Sequence, residues 1–176
     1  SKKEGQTLGE PTEESKAIAT NAWRLLQEWK TPPGTQQDGT FSEERFAEWL
    51  LRVKKASIES GHLEVALINT GEVLTHALPD PDGLWIRRAV AAALNDREAD
   101  DMRNGYRTGI YNSRGAHWID PTGKPERELA DQFRSKAEDV ENAGFQRFAV
   151  TLRGLAEGYD REAERIVDDH KDPDDD

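Results

Sequence analysis

Residues 105–118 read Gly-Tyr-Arg-Thr-Gly-Ile-Tyr-Asn-Ser-Arg-Gly-Ala-His-Trp, and this stretch departs from good helix-building chemistry several times. Gly105 and Gly109 are one turn apart in the helix that the surrounding pattern predicts. A glycine inside a helix costs about 1 kcal/mol relative to alanine, so the pair favours a close approach by a second helix. Gly154 and Gly158 repeat the spacing, and we expect the two pairs to meet. The alternative interpretation is a flexible helix end that a ligand can approach.

Four polar residues in and after this helix form the candidate ligand-binding site: Arg107, Asn112, Arg114 and His117. Arginine binds a phosphate or carboxylate well because its guanidinium is a planar fork of hydrogen-bond donors. The structural alternative is that Asn112 caps the helix and that Arg114 binds backbone carbonyls or a carboxylate of the loop at residues 80–82. Since structural ion pairs often resemble active sites, the sequence favours this structural interpretation.

Apolar periodicity along the chain predicts an all-α fold, either a compact bundle or a short α-α superhelix. No segment alternates between apolar and polar residues as a half-buried strand does. About seven helices are expected, near residues 12–30, 42–61, 62–78, 83–94, 95–110, 125–143 and 145–167. Residues 12–167 are therefore expected to form a single helical domain, between a flexible lead at 1–11 and an acidic disordered tail at 168–176.

The second predicted helix has the clearest boundaries. Ser42 is a favourable N-cap, and Phe41 before it can pack on Phe46 as a hydrophobic staple. Gly61 is placed to end the same helix. In the third predicted helix, apolar residues on two faces indicate a central helix that is covered from both directions.

Boundary signals for the later helices are single side chains. Asp82 is expected to cap the fourth helix, and Asn95 with Glu98 has the spacing of a capping box for the fifth. Pro125 suits the first turn of the sixth helix, because its missing N–H has no partner there in any case. Gly144 separates the sixth helix from a long seventh one.

Composition restricts the possible functions. The chain has 176 residues, no cysteine and a net charge of −11, so cysteine chemistry is excluded and nucleic-acid binding is disfavoured. No apolar run approaches the roughly 18 residues of a membrane span, and no signal peptide is evident. We therefore expect a cytoplasmic protein that does not contact the membrane. Because the chain begins at Ser1 with a polar segment and not with Met, we also expect a fragment of a longer protein.

The sequence does not match the residue spacing of known catalytic or metal-binding motifs. Glu72 and His76 share one predicted helical face, but the sequence offers no third ligand to complete a metal site. Residues 80–83 resemble the opening of a calcium loop, yet its twelfth position is Ala91 instead of glutamate. The chain has no nucleophile elbow, phosphate-binding loop or dinucleotide fingerprint. The sequence therefore predicts no catalytic residue, no metal and no cofactor.

Several short phrases carry a resemblance to a known group of proteins. They are Trp29-Lys30-Thr31-Pro32-Pro33-Gly34, Gly71-Glu72-Val73-Leu74, Asp80-Pro81-Asp82-Gly83-Leu84-Trp85 and Tyr111-Asn112-Ser113-Arg114-Gly115. Together they resemble an uncharacterised α-helical region at the C-terminus of longer bacterial proteins, over about residues 22–166. The resemblance implies an accessory module in a bacterial cytoplasm and no particular reaction. Similar chains have Trp-Pro where this one has Gly144-Phe145, which affects the start of the last helix.

The function that the sequence favours is a non-catalytic interaction module of a larger bacterial protein. It would bind a protein partner or a neighbouring domain of its parent chain, and an acidic exterior suits a basic partner. The alternative is a small anionic-ligand site or enzyme centred on Asn112, Arg114 and His117. A local arginine patch for nucleic acid is a third and weaker possibility, and the sequence leaves the oligomeric state open.

Overall fold

The computed structural model describes residues 30–115 and 119–170, which contain six α-helices. They are α1 (Glu43–Ser60), α2 (Leu63–Leu74), α3 (Arg88–Asn95), α4 (Asp100–Ser113), α5 (Lys124–Asn142) and α6 (Gln146–Asp169). Within these ranges the only extended pairing is an isolated bridge between Thr35 and Phe41. The all-α prediction is confirmed. The predicted helix at 12–30, the lead at 1–11 and most of the acidic tail lie outside the described residues.

The boundaries of α1 are those that the sequence predicts. The Ser42 hydroxyl accepts a hydrogen bond of 3.2 Å from the Arg45 backbone N–H. The rings of Phe41 and Phe46 lie 5.8 Å apart, which confirms the hydrophobic staple. Gly61 ends the helix in the left-handed conformation, at φ 73°, where a residue with a Cβ would be strained.

Helix α2 is shorter than predicted, because it ends at Leu74 instead of near residue 78. The Thr75 hydroxyl donates to the Glu72 carbonyl at 2.6 Å, and the Thr75 backbone N–H donates to the same oxygen. These bonds tighten the last turn and compete with continuation of the helix. Val65, on the second apolar face, is exposed, so the predicted covering of α2 from both directions is wrong at this position.

Helix α3 begins at Arg88, five residues later than its predicted start, and its cap is not the predicted one. The Asp80 carboxylate accepts a 2.9 Å hydrogen bond from the Arg88 backbone N–H, eight residues further along the chain. Asp82 instead accepts from the Leu84 N–H at 3.0 Å and pairs with the Arg88 guanidinium. Asp80 caps the helix and Asp82 stabilises the turn before it, so residues 83–87 form a closed loop instead of the first turn of α3.

The capping box predicted at Asn95 is also wrong. Asn95 accepts hydrogen bonds from the backbone N–H groups of Arg147 at 2.8 Å and Phe148 at 3.3 Å. It therefore caps the first turn of α6, more than fifty residues away in sequence. Phe145, at the N-cap position of α6, offers no side-chain hydrogen bond, so the missing acceptor comes from the end of α3.

Two helix pairs supply most of the core. Helices α5 and α6 form an antiparallel hairpin across Gly144, and α2 packs along α4. The side chains buried between the helices are mainly Leu74, Ile86, Val90, Leu94, Met102, Tyr106, Phe133, Val140, Phe148, Leu152, Leu155 and Tyr159. Helices α3 and α4 both contact α6, which therefore lies at the centre of this core.

Glycines bring α2 and α4 into backbone contact. A Cβ added at Gly105 would lie 1.9 Å from the Ile68 carbonyl oxygen, and one added at Gly71 would lie 1.9 Å from the Met102 carbonyl oxygen. Close packing at Gly105 is thus confirmed, but the predicted meeting with the glycines of α6 is wrong. Gly154 has open space around it, and Gly158 lies against the Tyr111 hydroxyl.

Alanine substitutions at two helical glycines are expected to change stability in opposite directions. Gly105→Ala should lower the free energy of unfolding by more than about 3 kcal/mol, because the new methyl group meets a backbone carbonyl that cannot rotate away. Gly154→Ala should raise it by about 0.5–1 kcal/mol, since it removes only the helical cost of glycine. Urea unfolding of both variants measures the difference, and equal effects would contradict the close-packing interpretation.

Candidate functional site

The residues of the predicted ligand site lie on and after α4. Arg107 and Asn112 are exposed on the helix, and Arg114 follows its last residue. The backbone carbonyl of Asn112 accepts a hydrogen bond from the Gly115 N–H at 3.3 Å, which closes the helix end. The fourth residue, His117, lies in the short segment at 116–118 that the structure does not describe. Three of the four predicted site residues can therefore be placed.

Arg114 joins the end of α4 to two other helices. Its Nη2 lies 2.8 Å from Glu126 Oε1 in α5, and its Nη1 lies 3.5 Å from Glu162 Oε2 in α6. Its guanidinium also lies over the ring of Tyr159, 5.3 Å from the centroid. A carboxylate partner for Arg114 was predicted in the loop at 80–82, and this prediction is wrong in its location.

Burial makes the Arg114–Glu126 contact a strong constraint. The Glu126 side chain is 1% exposed and that of Arg114 is 17% exposed, so water screens the pair poorly. Glu126 lies in the first turn of α5, where the helix dipole also favours a negative charge. Because an internal carboxylate already compensates the Arg114 cation, the geometry supports a structural clamp more than an anion-binding group.

Aromatic rings form the apolar side of this clamp. Tyr159 stacks on Phe133 with ring centroids 5.7 Å apart, and its ring lies 5.3 Å from that of Tyr111. Burial raises the pKa of Tyr159 from its ordinary value of 10.0 to about 12, and the nearby Arg114 cation opposes part of this rise. The Tyr159 hydroxyl is therefore kept neutral over a wide pH range and offers no phenolate for chemistry near neutral pH.

A second buried arginine, Arg103, has a role that the sequence did not reveal. Its Nη1 donates to the carbonyl oxygens of Leu94 and Asp96, both at 2.7 Å, and its Nη2 pairs with Asp100. It thereby satisfies the carbonyl groups at the end of α3 and fixes the start of α4. The sequence does not predict this role, because two of the three acceptors are backbone carbonyl oxygens, and these are present at every residue whatever its side chain.

In two of the surface hollows formed by described residues, the arginines are paired with carboxylates. The first, of about 340 Å³, is lined by Asp82, Gly83, Leu84, Arg88, Asp139, Asn142 and Ala143. The second, of about 210 Å³, is lined by Arg134, Glu138, Arg153, Ala156 and Glu157. Arg88 pairs with Asp82, Arg134 with Asp160 and Arg153 with Glu141, so these cations are already neutralised.

The metal-binding residues considered in the sequence do not come together. His76 lies beyond the end of α2, so it does not share a helical face with Glu72 as predicted. Across residues 30–115 and 119–170, no cluster of three or more histidine or carboxylate side chains is placed to hold a metal ion. Desolvation raises the pKa of Glu72, which is a consequence of its place at the α2–α4 interface.

Helix α1 carries an apolar surface that the sequence did not single out. Only Phe46 and Ser57 of its 18 residues are buried. Leu51 and Ile58 are 67% and 64% exposed, and their spacing places them with Ala47 on one face of the helix. The exposed apolar face of α1 is thus a surface without a partner among the described residues.

None of the six described helices is long and apolar enough to cross a membrane.

Comparisons with known protein families, with functionally described proteins and with solved structures gave no match for this chain. The resemblance to a helical region of longer bacterial proteins therefore stays a prediction.

Substitution of Arg114 tests whether the clamp is structural. Arg114→Ala removes the cation that Arg114 supplies to the buried Glu126 carboxylate, which should cost about 3–5 kcal/mol of folding free energy. For a chain of this size, the thermal midpoint should fall by on the order of 10 °C. Arg107→Ala is the matched control, because Arg107 is exposed on the same helix and should change the midpoint little. An unchanged midpoint for Arg114→Ala would leave Arg114 free for a ligand.

Alkaline unfolding tests the burial of Tyr159. The pKa of this hydroxyl is higher in the folded state than in the unfolded chain, so its contribution to stability is complete below pH 10.0 and is lost as the pH rises towards about 12. Urea unfolding across this pH range should show wild-type stability falling faster than that of Tyr159→Phe, which cannot ionise. Parallel losses in the two proteins would show that the Tyr159 hydroxyl ionises as freely in the folded protein as in the unfolded chain.

Proposed function

We propose that this chain is a non-catalytic helical interaction module of a larger bacterial cytoplasmic protein. It binds a protein partner or a neighbouring domain of the parent chain. The observation that carries the proposal is the exposed apolar face of α1, formed by Ala47, Leu51 and Ile58. Exposed apolar groups that lie together on a folded surface commonly mark a site of protein association.

The contacts that hold the other helices together do not involve the exposed face of α1, which supports assigning this face to binding. Arg103, Arg114 and Asn95 hold the ends of α3, α4 and α6, whereas the fully buried residues of α1 are only Phe46 and Ser57. Leu51 and Ile58 therefore do little for the folding of the described residues. When a partner covers large exposed apolar side chains, their burial contributes favourable free energy to the complex.

The alternative, an anionic-ligand site at Asn112, Arg114 and His117, receives less support. An anion would have to compete with Glu126 for the Arg114 guanidinium, at a distance of 2.8 Å and in a poorly solvated position. Arg107 is exposed on α4 and has no described contact with this ion pair. Among the described residues, the enzyme hypothesis therefore lacks a free Arg114 guanidinium on which to rest, because Arg114 is already paired with Glu126 and Glu162.

Photo-cross-linking tests the proposed function in the cells in which the protein is native. A benzophenone amino acid in place of Ile58 should give cross-linked products with a protein partner or with another part of the parent protein. Val150 provides the matched control, because it is also 64% exposed but lies on α6, away from the α1 face. We expect products at position 58 in several-fold excess over position 150, and products at neither position would refute the proposal.

A further inference from the structure

We propose that the partner of the α1 face is the α1 face of a second copy of the chain, with the two helices packed antiparallel. This inference rests on the proposed function, because it uses the same apolar surface. It adds the identity of the partner and the direction of the pairing. The arguments come from the spacing of the apolar residues and from the distribution of charge along α1.

One face of α1 has the spacing of a helix–helix seam. It consists of the exposed residues Ala47, Leu51 and Ile58 and the half-buried Lys54. In chain order these four positions are separated by four, three and four residues, which is the repeat of positions that meet in a coiled coil. In an antiparallel pair centred between Leu51 and Lys54, Ala47 faces Ile58 of the partner subunit. Lys54 then faces the partner's Leu51, and its aliphatic stem covers that side chain while the ammonium group stays in water.

Charge decides the direction of the pairing. Glu48 and Lys55 are exposed and occupy equivalent positions beside the seam, one heptad apart. Antiparallel pairing brings Glu48 next to the partner's Lys55, and the twofold axis repeats the contact. A parallel pairing would instead bring Glu43 next to the partner's Glu48, and two like charges would repel. The charges beside the seam of two α1 helices therefore attract each other in the antiparallel pairing and repel each other in the parallel pairing.

The expected dimer is weak and reversible. Helix α1 has 18 residues and is about 27 Å long, so a single helix pair buries less than the roughly 1,200 Å² of total surface that stable complexes bury. Ion pairs at the rim are screened by salt, so association should weaken as the ionic strength rises. These properties suit an interaction module whose local concentration is set by a larger parent protein.

Sedimentation equilibrium of the purified chain over a hundredfold range of concentration tests the inference. The average mass should rise from that of a monomer towards that of a dimer. Ile58→Glu should abolish the rise, because it places one acidic group in the apolar seam from each of the two copies. Val150→Glu, at a position of equal exposure on α6, should leave it unchanged. A chain that stays monomeric at every concentration would overturn the inference.

Charge reversal tests the direction of the pairing. Glu48→Lys alone and Lys55→Glu alone should each weaken association by roughly 5–10-fold, because each turns two attractive contacts into repulsive ones. The combined variant should restore association to near the wild-type level. Failure of the combined variant to restore it would overturn the antiparallel arrangement.

The two experiments separate this inference from the proposed function. If position 58 cross-links to a different protein while the purified chain is monomeric, α1 is an interaction surface and the self-pairing is wrong. If position 58 gives no products and the chain is monomeric, both proposals fail. Cross-links between two copies of the chain, together with a concentration-dependent dimer, support both.

Discussion

Where α2 crosses α4, the backbone of Gly71 lies against the Met102 carbonyl and the backbone of Gly105 lies against the Ile68 carbonyl. No side chain of any size fits between the two helices at these points. Such a contact fixes the separation and direction of both helices, because a packed interior resists displacement. The direction of α4 then determines where Arg114 emerges, beside the first turn of α5 and the ring of Tyr159.

Helix ends are the second organising feature, and residues distant in sequence satisfy them. Asn95 at the end of α3 caps α6, Arg103 in α4 binds the last carbonyl groups of α3, and Arg114 links α4 to Glu126 in α5. Unpaired backbone groups and unpaired charges are costly when buried, so these contacts help to specify one arrangement of the helices. Arg114, which in the sequence looks like part of a binding site, is by this geometry part of the architecture.

Helix α1 stands apart from this network. Among the described residues, one face of α1 packs against the core, through Phe46, Leu50 and Ser57, and the apolar surface of the helix continues beyond this face to Leu51 and Ile58. A helix in a globular domain normally directs its apolar stripe into the core. The exposed apolar surface on α1, and the charges that would pair if two copies of the helix packed antiparallel, are the features from which we propose a function in association.

The sequence by itself determined the helical class, the boundaries of α1 and the order of the helices, because periodicity, Ser42 and Gly61 act within a few residues of themselves. The tertiary structure alone decided which glycines meet, where Asn95 and Arg114 bind and which part of the apolar surface stays exposed. The spacing of Gly105 and Gly109 predicts that another helix approaches closely, but it does not say which one. The helix that approaches is α2, which has a single glycine, Gly71, at the crossing. Asn95 could be assigned to a local capping box because its true partners are backbone N–H groups more than fifty residues away. Local rules describe the helices, and the long-range contacts between them depend on packing that no short segment contains.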